Sequence, residues 1–297
     1  MPPRWVSAAI IVGWIAAVAW LFRLEIWPAL EPGAPPPFTI DLAEEAQTTK
    51  LPINWRVYQN GHYTLNAKTS VEHRVKENDF TLRAVFTPPP FQTDADKNAA
   101  AAEKIDIRNM TSAYRVTPEG QLLRLEVSME CNFKALNIPC NLRVWGDVRD
   151  GQFMPHYEIE SLNTRKTFSL PPVAVSSQGS VVMPLHPVNR IGGLKPGQQW
   201  RVPVFDPVSD SLASLTGGSG EVRFLRAKVR PQTEMLSWNH TETPCLVIDY
   251  HEERARKEEQ MTAETWVRAA DGLVLKQIAD LSGTRWEMKR EEINSAH

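Results

Sequence analysis

Cysteine is scarce in this sequence: three in 297 residues, the first at Cys131. That excludes a disulfide-dense mini-scaffold and leaves no N-terminal cysteine to carry a lipid. An excess of one charge is also lacking. Against 33 Lys and Arg stand 35 Asp and Glu, a net charge of −2, which removes nucleic acid and anionic membrane surfaces as electrostatic partners of the chain as a whole. No GxSxG, GxGxxG, P-loop, HExxH or CxxC occurs, so the common hydrolase, dehydrogenase, kinase, zincin and thioredoxin-type chemistries have no signature here. No catalytic residue, metal ligand or cofactor is assigned from sequence.

What the chain does have is a long apolar run near its start. From Trp5 to Phe22 it reads WVSAAIIVGWIAAVAWLF, without a charge. As a helix this run covers roughly 27 Å, close to the hydrocarbon thickness of a bilayer. Trp5 stands at one end, with Trp20 and Trp27 near the other, where amphipathic rings prefer the interface. The expectation is a transmembrane signal anchor within residues 1–27. Ala17-Val18-Ala19 has the small-x-small form of a cleavage site, but Trp20 to Phe22 prolong the apolar run beyond it, which favours an uncleaved anchor. Arg4 precedes the span, while Asp41, Glu44 and Glu45 follow it. The positive-inside bias then puts the N-terminus in the cytoplasm and the bulk of the chain outside, periplasmic or extracellular. Residues 28–50 begin PALEPGAPPPF and read as an extended proline-rich spacer.

Residues 51–297 read as an antiparallel β domain. Leu123, Leu125, Val127, Met129, Cys131 and Phe133 alternate with Arg124, Glu126, Ser128, Glu130 and Asn132, the period of a strand with one face buried and one in water. Asp150-Gly151 is a two-residue hairpin signal. It predicts Val148 opposite Phe153, Val144 opposite Tyr157 and Leu142 opposite Ile159, apolar on apolar in each case. Thr117 to Gly120 similarly predicts Tyr114 opposite Leu123 and Met110 opposite Val127. Strands at about 110–116, 121–133, 140–149 and 152–161 thus form a meander. Asn60-Gly61 and Asp271-Gly272 mark further hairpins, and Leu246, Ile248 and Tyr250 alternate near the C-terminus. Helix signals are few, at 40–48 and 94–105, so the fold class is mainly β, with α+β the alternative. The stretch 194–220 reads as a long connection between two halves of one sheet system, or as a boundary between two domains.

Three sets of side chains are candidates for function. Cys131 and Cys140 fall opposite each other, so a cross-strand disulfide is geometrically reasonable in an oxidising compartment; two buried thiols filling the core fit equally well. His240, Cys245, Asp249 and His251 lie within twelve residues, the least poor place for a hydrolase-like site, although a solvated strand face explains the same pattern. Leu123, Leu125, Val127, Leu142, Val144 and Tyr157 offer an apolar inner face which, with Trp266, is a candidate cavity lining for an acyl chain.

The segments LKPGQQWRVPVFDP (194–207) and TWVRAADGLVLKQ (265–277) share a PG-x-x-W opening to a strand and a Trp-Val strand turning through Asp-Gly. Over about residues 110–290 the chain resembles the antiparallel half-barrel domains of bacterial envelope proteins, among them families of unknown function and, more distantly, LolA-like lipoprotein carriers. The resemblance implies a curved sheet whose concave apolar side can hold a lipid-like group; it carries over no functional residue. The missing lipidation cysteine and the apolar start depart from the soluble carriers. The expectation is a membrane-anchored, non-enzymatic protein whose sheet binds a lipid-like ligand or an envelope partner protein.

Overall fold

The computed structural model describes residues 52–90, 105–133 except 119, 138–161, 164–175, 187–204, 223–252, 261–281 and 284–291. It also describes four positions of the apolar start: Trp14, Ala17, Val18 and Trp20 have helical backbone and are exposed. The rest of the anchor at Trp5–Phe22, the spacer, and both short helices expected at 40–48 and 94–105 (save Ile105, which opens a strand) lie outside the described residues. Among the described residues no helix is long and apolar enough to cross a membrane.

The chain is mainly β, built on a single large antiparallel sheet that does not close. Its N-terminal strands are β1 (Ile53–Gln59), β2 (His62–Arg74), β3 (Asp79–Thr87), β4 (Ile105–Val116), β5 (Leu122–Phe133), β6 (Ile138–Arg149), β7 (Gln152–Ser161), β8 (Thr164–Ser169) and β9 (Val173–Ala174). The remainder are β10 (Gln199–Val204), β11 (Arg223–Val229), β12 (Glu234–Trp238), β13 (Thr241–Glu252), β14 (Met261–Arg268), β15 (Val274–Leu281) and β16 (Thr284–Arg290). The order is β10-β11-β13-β14-β15-β16-β1-β2-β3-β4-β5-β6-β7-β8, with β12 beside β13 and β9 beside β7. Two meanders therefore meet at β1–β16, where Trp55 pairs with Arg290 and Val57 with Met288. Of the stretch 194–220, residues 199–204 form β10, an edge strand of this same sheet; residues 205–220 lie outside the described residues.

Tight turns set much of the register. Asn60-Gly61 and Asp150-Gly151 both have positive φ at their two residues, the type I′ geometry that matches strand twist. The β6–β7 pairs Val148–Phe153, Val144–Tyr157 and Leu142–Ile159 are as the alternation predicts. The β4–β5 pairing is two residues away from expectation, with Tyr114 opposite Leu125 and Met110 opposite Met129. Two things cause this. The loop runs to Gln121, whose carbonyl accepts the Thr117 N–H at 2.9 Å, and a bulge leaves Leu123 unpaired between Leu122 and Arg124.

One apolar cluster runs along one face of the sheet, from Phe153 and Tyr157 of β7 to Trp200 and Val202 of β10. Gly146 belongs to that face because nothing larger fits: a Cβ there would lie 2.2 Å from the Met154 carbonyl oxygen and 2.8 Å from the Phe153 ring. The irregular segment 187–198 crosses this face and packs Val188, Ile191 and Leu194 onto the cluster. It is held by a buried polar chain. Trp55 Nε1 donates to Thr69 Oγ1 at 3.0 Å, and Thr69 Oγ1 donates to Asn189 Oδ1 at 2.8 Å. The Asn189 carbonyl accepts the Val274 N–H at 3.0 Å, and Ile191 N–H donates to the Gly272 carbonyl at 2.8 Å. The segment thus ties β2, in one meander, to β15 in the other.

Candidate functional site

The His240–His251 stretch does not converge. Asn239 and His240 form a tight turn with φ of 53° and 57°, and β13 then runs straight away from it. Cys245 and His251 are six residues apart on an extended strand, so roughly 20 Å separates them. Cys245 is buried in a second, small cluster on the other face of the sheet, with Val247, Trp266, Leu273, Leu275 and Ile278. Burial pushes its thiol up to about 11, so it is not a thiolate near neutral pH, and the thiolate is the nucleophilic form. Asp249 is held by Arg230, whose Nη2 donates at 2.6 Å and Nε at 3.0 Å. Arg230 also donates to Glu264 at 2.5 Å and pairs with Glu234; its pKa is raised, chiefly by the hydrogen bond to Asp249. This hub is one that sequence reading missed, since Arg230, Glu234 and Glu264 are brought together only by the pairing of β11, β12 and β14 with β13. Among the described residues no group of three or more His, Cys, Asp and Glu is placed to hold a metal ion.

Cys131 and Cys140 are directly opposite each other in β5–β6, and both are buried. Opposed Cα atoms in an antiparallel pair stand about 4.5–5.5 Å apart, inside the range a disulfide spans.

The apolar set divides. Leu125 and Val144 are 0% exposed, Val127 and Tyr157 4%, and Leu142 packs half-buried against the same cluster. Side chains lining a void would keep surface open to a water-sized probe; these four are enclosed by protein atoms. The bulge takes Leu123 out of the cluster, and Leu122 is buried in its place. Trp266 lies in the second cluster, donates through Nε1 to Glu234 at 3.2 Å and receives Lys276 over its ring at 4.6 Å. Leu125 belongs to the first cluster.

The opposite face of β4–β8 is a polar grid. The registers align Asn109, Glu130, Asn141, Glu160 and Arg165 in one row, then Thr111, Ser128, Arg143, Glu158 and Thr167. A third row holds Ala113, Glu126, Trp145, His156 and Ser169. Several of these groups are paired across the rows. Arg143 donates twice to Glu126, at 2.6 and 3.1 Å, Arg165 to Glu158 at 2.7 Å, and Asn109 to Glu130 at 2.8 Å. Residues of the first two rows, with Met129 and Leu142, line an open depression of about 270 Å³; Trp145, in the third row, stacks on His156 at 5.7 Å. This patch was unread in the sequence because it is made of the polar positions that alternation assigns to water.

Fold and surface together define the class no further than an open, all-antiparallel, mainly β protein with one apolar and one polar sheet face. Comparison with protein-family models, with characterised proteins and with solved structures finds no match.

Proposed function

We propose that this chain is a membrane-tethered, non-enzymatic protein of the cell envelope that engages an envelope component with the outer, polar face of its sheet. The tether is Trp5–Phe22, with the N-terminus cytoplasmic and the sheet outside. The sheet curls as a half-barrel so that its apolar face is used up internally, each meander covering the other with the 187–198 segment between them. One observation carries the choice of the outer face: Leu125, Val127, Val144 and Tyr157 are at most 4% exposed, so the apolar side is filled by the chain's own side chains. A single layer of sheet cannot enclose those residues without curling or being covered.

Two measurements test this. Protease added to spheroplasts should digest the body of the protein and leave the span in the membrane; full protection of the body would overturn the topology. Mass spectrometry of the gently purified full chain should find no stoichiometric lipid. A stoichiometric acyl lipid whose identity changes in Leu125→Ala would replace the outer-face reading with that of an apolar-ligand carrier.

A further inference from the structure

We infer that the depression on the outer face of β4–β7 is a binding site for a neutral saccharide. This rests on the outer-face reading above and names the ligand chemistry it leaves open. The argument is one of elimination followed by fit. An acyl chain is disfavoured because seven of the nine lining residues carry amide, hydroxyl, carboxylate or guanidinium groups, with Met129 and Leu142 the only apolar ones. Phosphates and other anions are disfavoured because Glu130 and Glu158 both line the space and would repel them, while the one cation in the lining, Arg143, already donates twice to Glu126. A metal ion is disfavoured because no suitable cluster of ligands stands among the described residues. A protein partner needs an apolar centre that can be dried, and the three rows here offer Trp145 as their one large apolar surface.

What remains is a small, uncharged molecule rich in hydroxyl groups. Asn109 and Asn141 each bring a group that both donates and accepts, Thr111 and Ser128 bring hydroxyls, and Glu158 brings a carboxylate already oriented by Arg165 at 2.7 Å. Such planar and hydroxyl groups match vicinal hydroxyls, which donate and accept at once. The volume of about 270 Å³ suits one or two sugar rings, at the small end of ligand sites. Trp145, in the neighbouring row, is packed against His156 on the next strand and Arg143 at 5.1 Å from its ring centroid. The part of its ring that stays exposed can meet the C–H groups of a pyranose at the end of the depression. Paired charges across the rows hold these groups in place before any ligand arrives, which lowers the ordering cost of binding.

The test uses the full chain in a phosphocholine detergent, which carries no sugar headgroup. Saturation-transfer NMR is read with maltotetraose and the N-acetylglucosamine tetramer as neutral probes, and a heparin tetrasaccharide as the anionic one. The expected result is transfer to at least one neutral probe, little to heparin, and an apparent affinity about tenfold weaker in Asn141→Ala and in Trp145→Leu. Unchanged melting of both variants keeps that loss specific to binding. Transfer to neither neutral probe, equal transfer to heparin, or binding undiminished in both variants would each overturn the saccharide site. The outer-face reading fails differently, through lipid found on the apolar side.

Discussion

Replacing Gly146 by alanine adds one methyl group at the tightest point of the β6–β7 pair. The new Cβ would lie 2.2 Å from the Met154 carbonyl oxygen and 2.8 Å from two carbons of the Phe153 ring. Neither neighbour can give way cheaply. The carbonyl belongs to a strand whose register is fixed from Val148–Phe153 through Leu142–Ile159, and Phe153 is wholly buried. Overpacking of this kind costs about 1–3 kcal/mol, and the backbone contact puts Gly146→Ala at the upper end. The gain from a stiffer unfolded chain offsets only about 0.4–1 kcal/mol. A net loss of about 2 kcal/mol lowers Tm by roughly 4–8 °C in a domain of this size, read by differential scanning fluorimetry of the detergent-solubilised chain. Gly151→Ala is the control, with φ of +72° but nothing within 4 Å of its Cβ. It should lose only about 1–2 kcal/mol, the cost of left-handed backbone in a residue with a side chain. In a double mutant, Phe153→Leu should relieve part of the Gly146→Ala penalty, because it removes the ring contacts and leaves the carbonyl one. A Gly146→Ala protein that melts within 1 °C of the parent would refute the close approach, and with it the packing of Phe153 over β6.

Other outcomes follow from the same structure. Diamide treatment should link Cys131 to Cys140, seen as resistance of both to alkylation after unfolding, with a stabilisation of about 2–3 kcal/mol for so short a loop; full alkylation of both would show that the β5–β6 register is wrong. Thr69→Val, nearly isosteric, strands the Trp55 indole N–H and the Asn189 amide oxygen and should cost about 2 kcal/mol, whereas no change in melting would detach the 187–198 segment from the core. Stability should fall at alkaline pH. Burial raises Cys245 from about 9 to about 11 and Tyr250 from about 10 to about 12, so the unfolded chain releases these protons first. Each contribution is intact below the unfolded value and is lost as pH rises toward the folded one, about 2–3 kcal/mol apiece. In Cys245→Ala the onset should move from near pH 9 to near pH 10, and an unmoved onset would refute the thiol's part.

The meander from β4 to β7 was legible because alternation and turn chemistry agree there: Asp150-Gly151 fixes a register that Val144 and Tyr157 independently demand. The β4–β5 register was not, since a bulge is set by local twist and leaves LLRL looking like an ordinary alternating strand. β3 carries the same alternation in Phe80, Leu82, Ala84 and Phe86 but has no hairpin dipeptide beside it to fix a register. The burial of Val188, Ile191 and Leu194 had no periodic signal at all, because an irregular segment is buried by what it crosses. Of the candidate site, the dispersal of Cys245 and His251 was implicit in their spacing along a strand. The polar grid needed four registers to assemble.

The seam between β1 and β16 has a mechanical consequence. The proposed tether, on the N-terminal side of residue 53, would pull on a strand in the middle of the sheet, flanked by β2 and β16. Drawing β1 out by its N-terminal end loads both neighbours at once, Trp55 against Ala67 on one side and Arg290 on the other. The two ladders share the force along their length, whereas a tether on an edge strand would peel one ladder bond by bond. The same seam delays assembly. During synthesis β1 stays without its second neighbour until residues 284–290 have emerged, so an attachment point there would become strong only when that seam has formed.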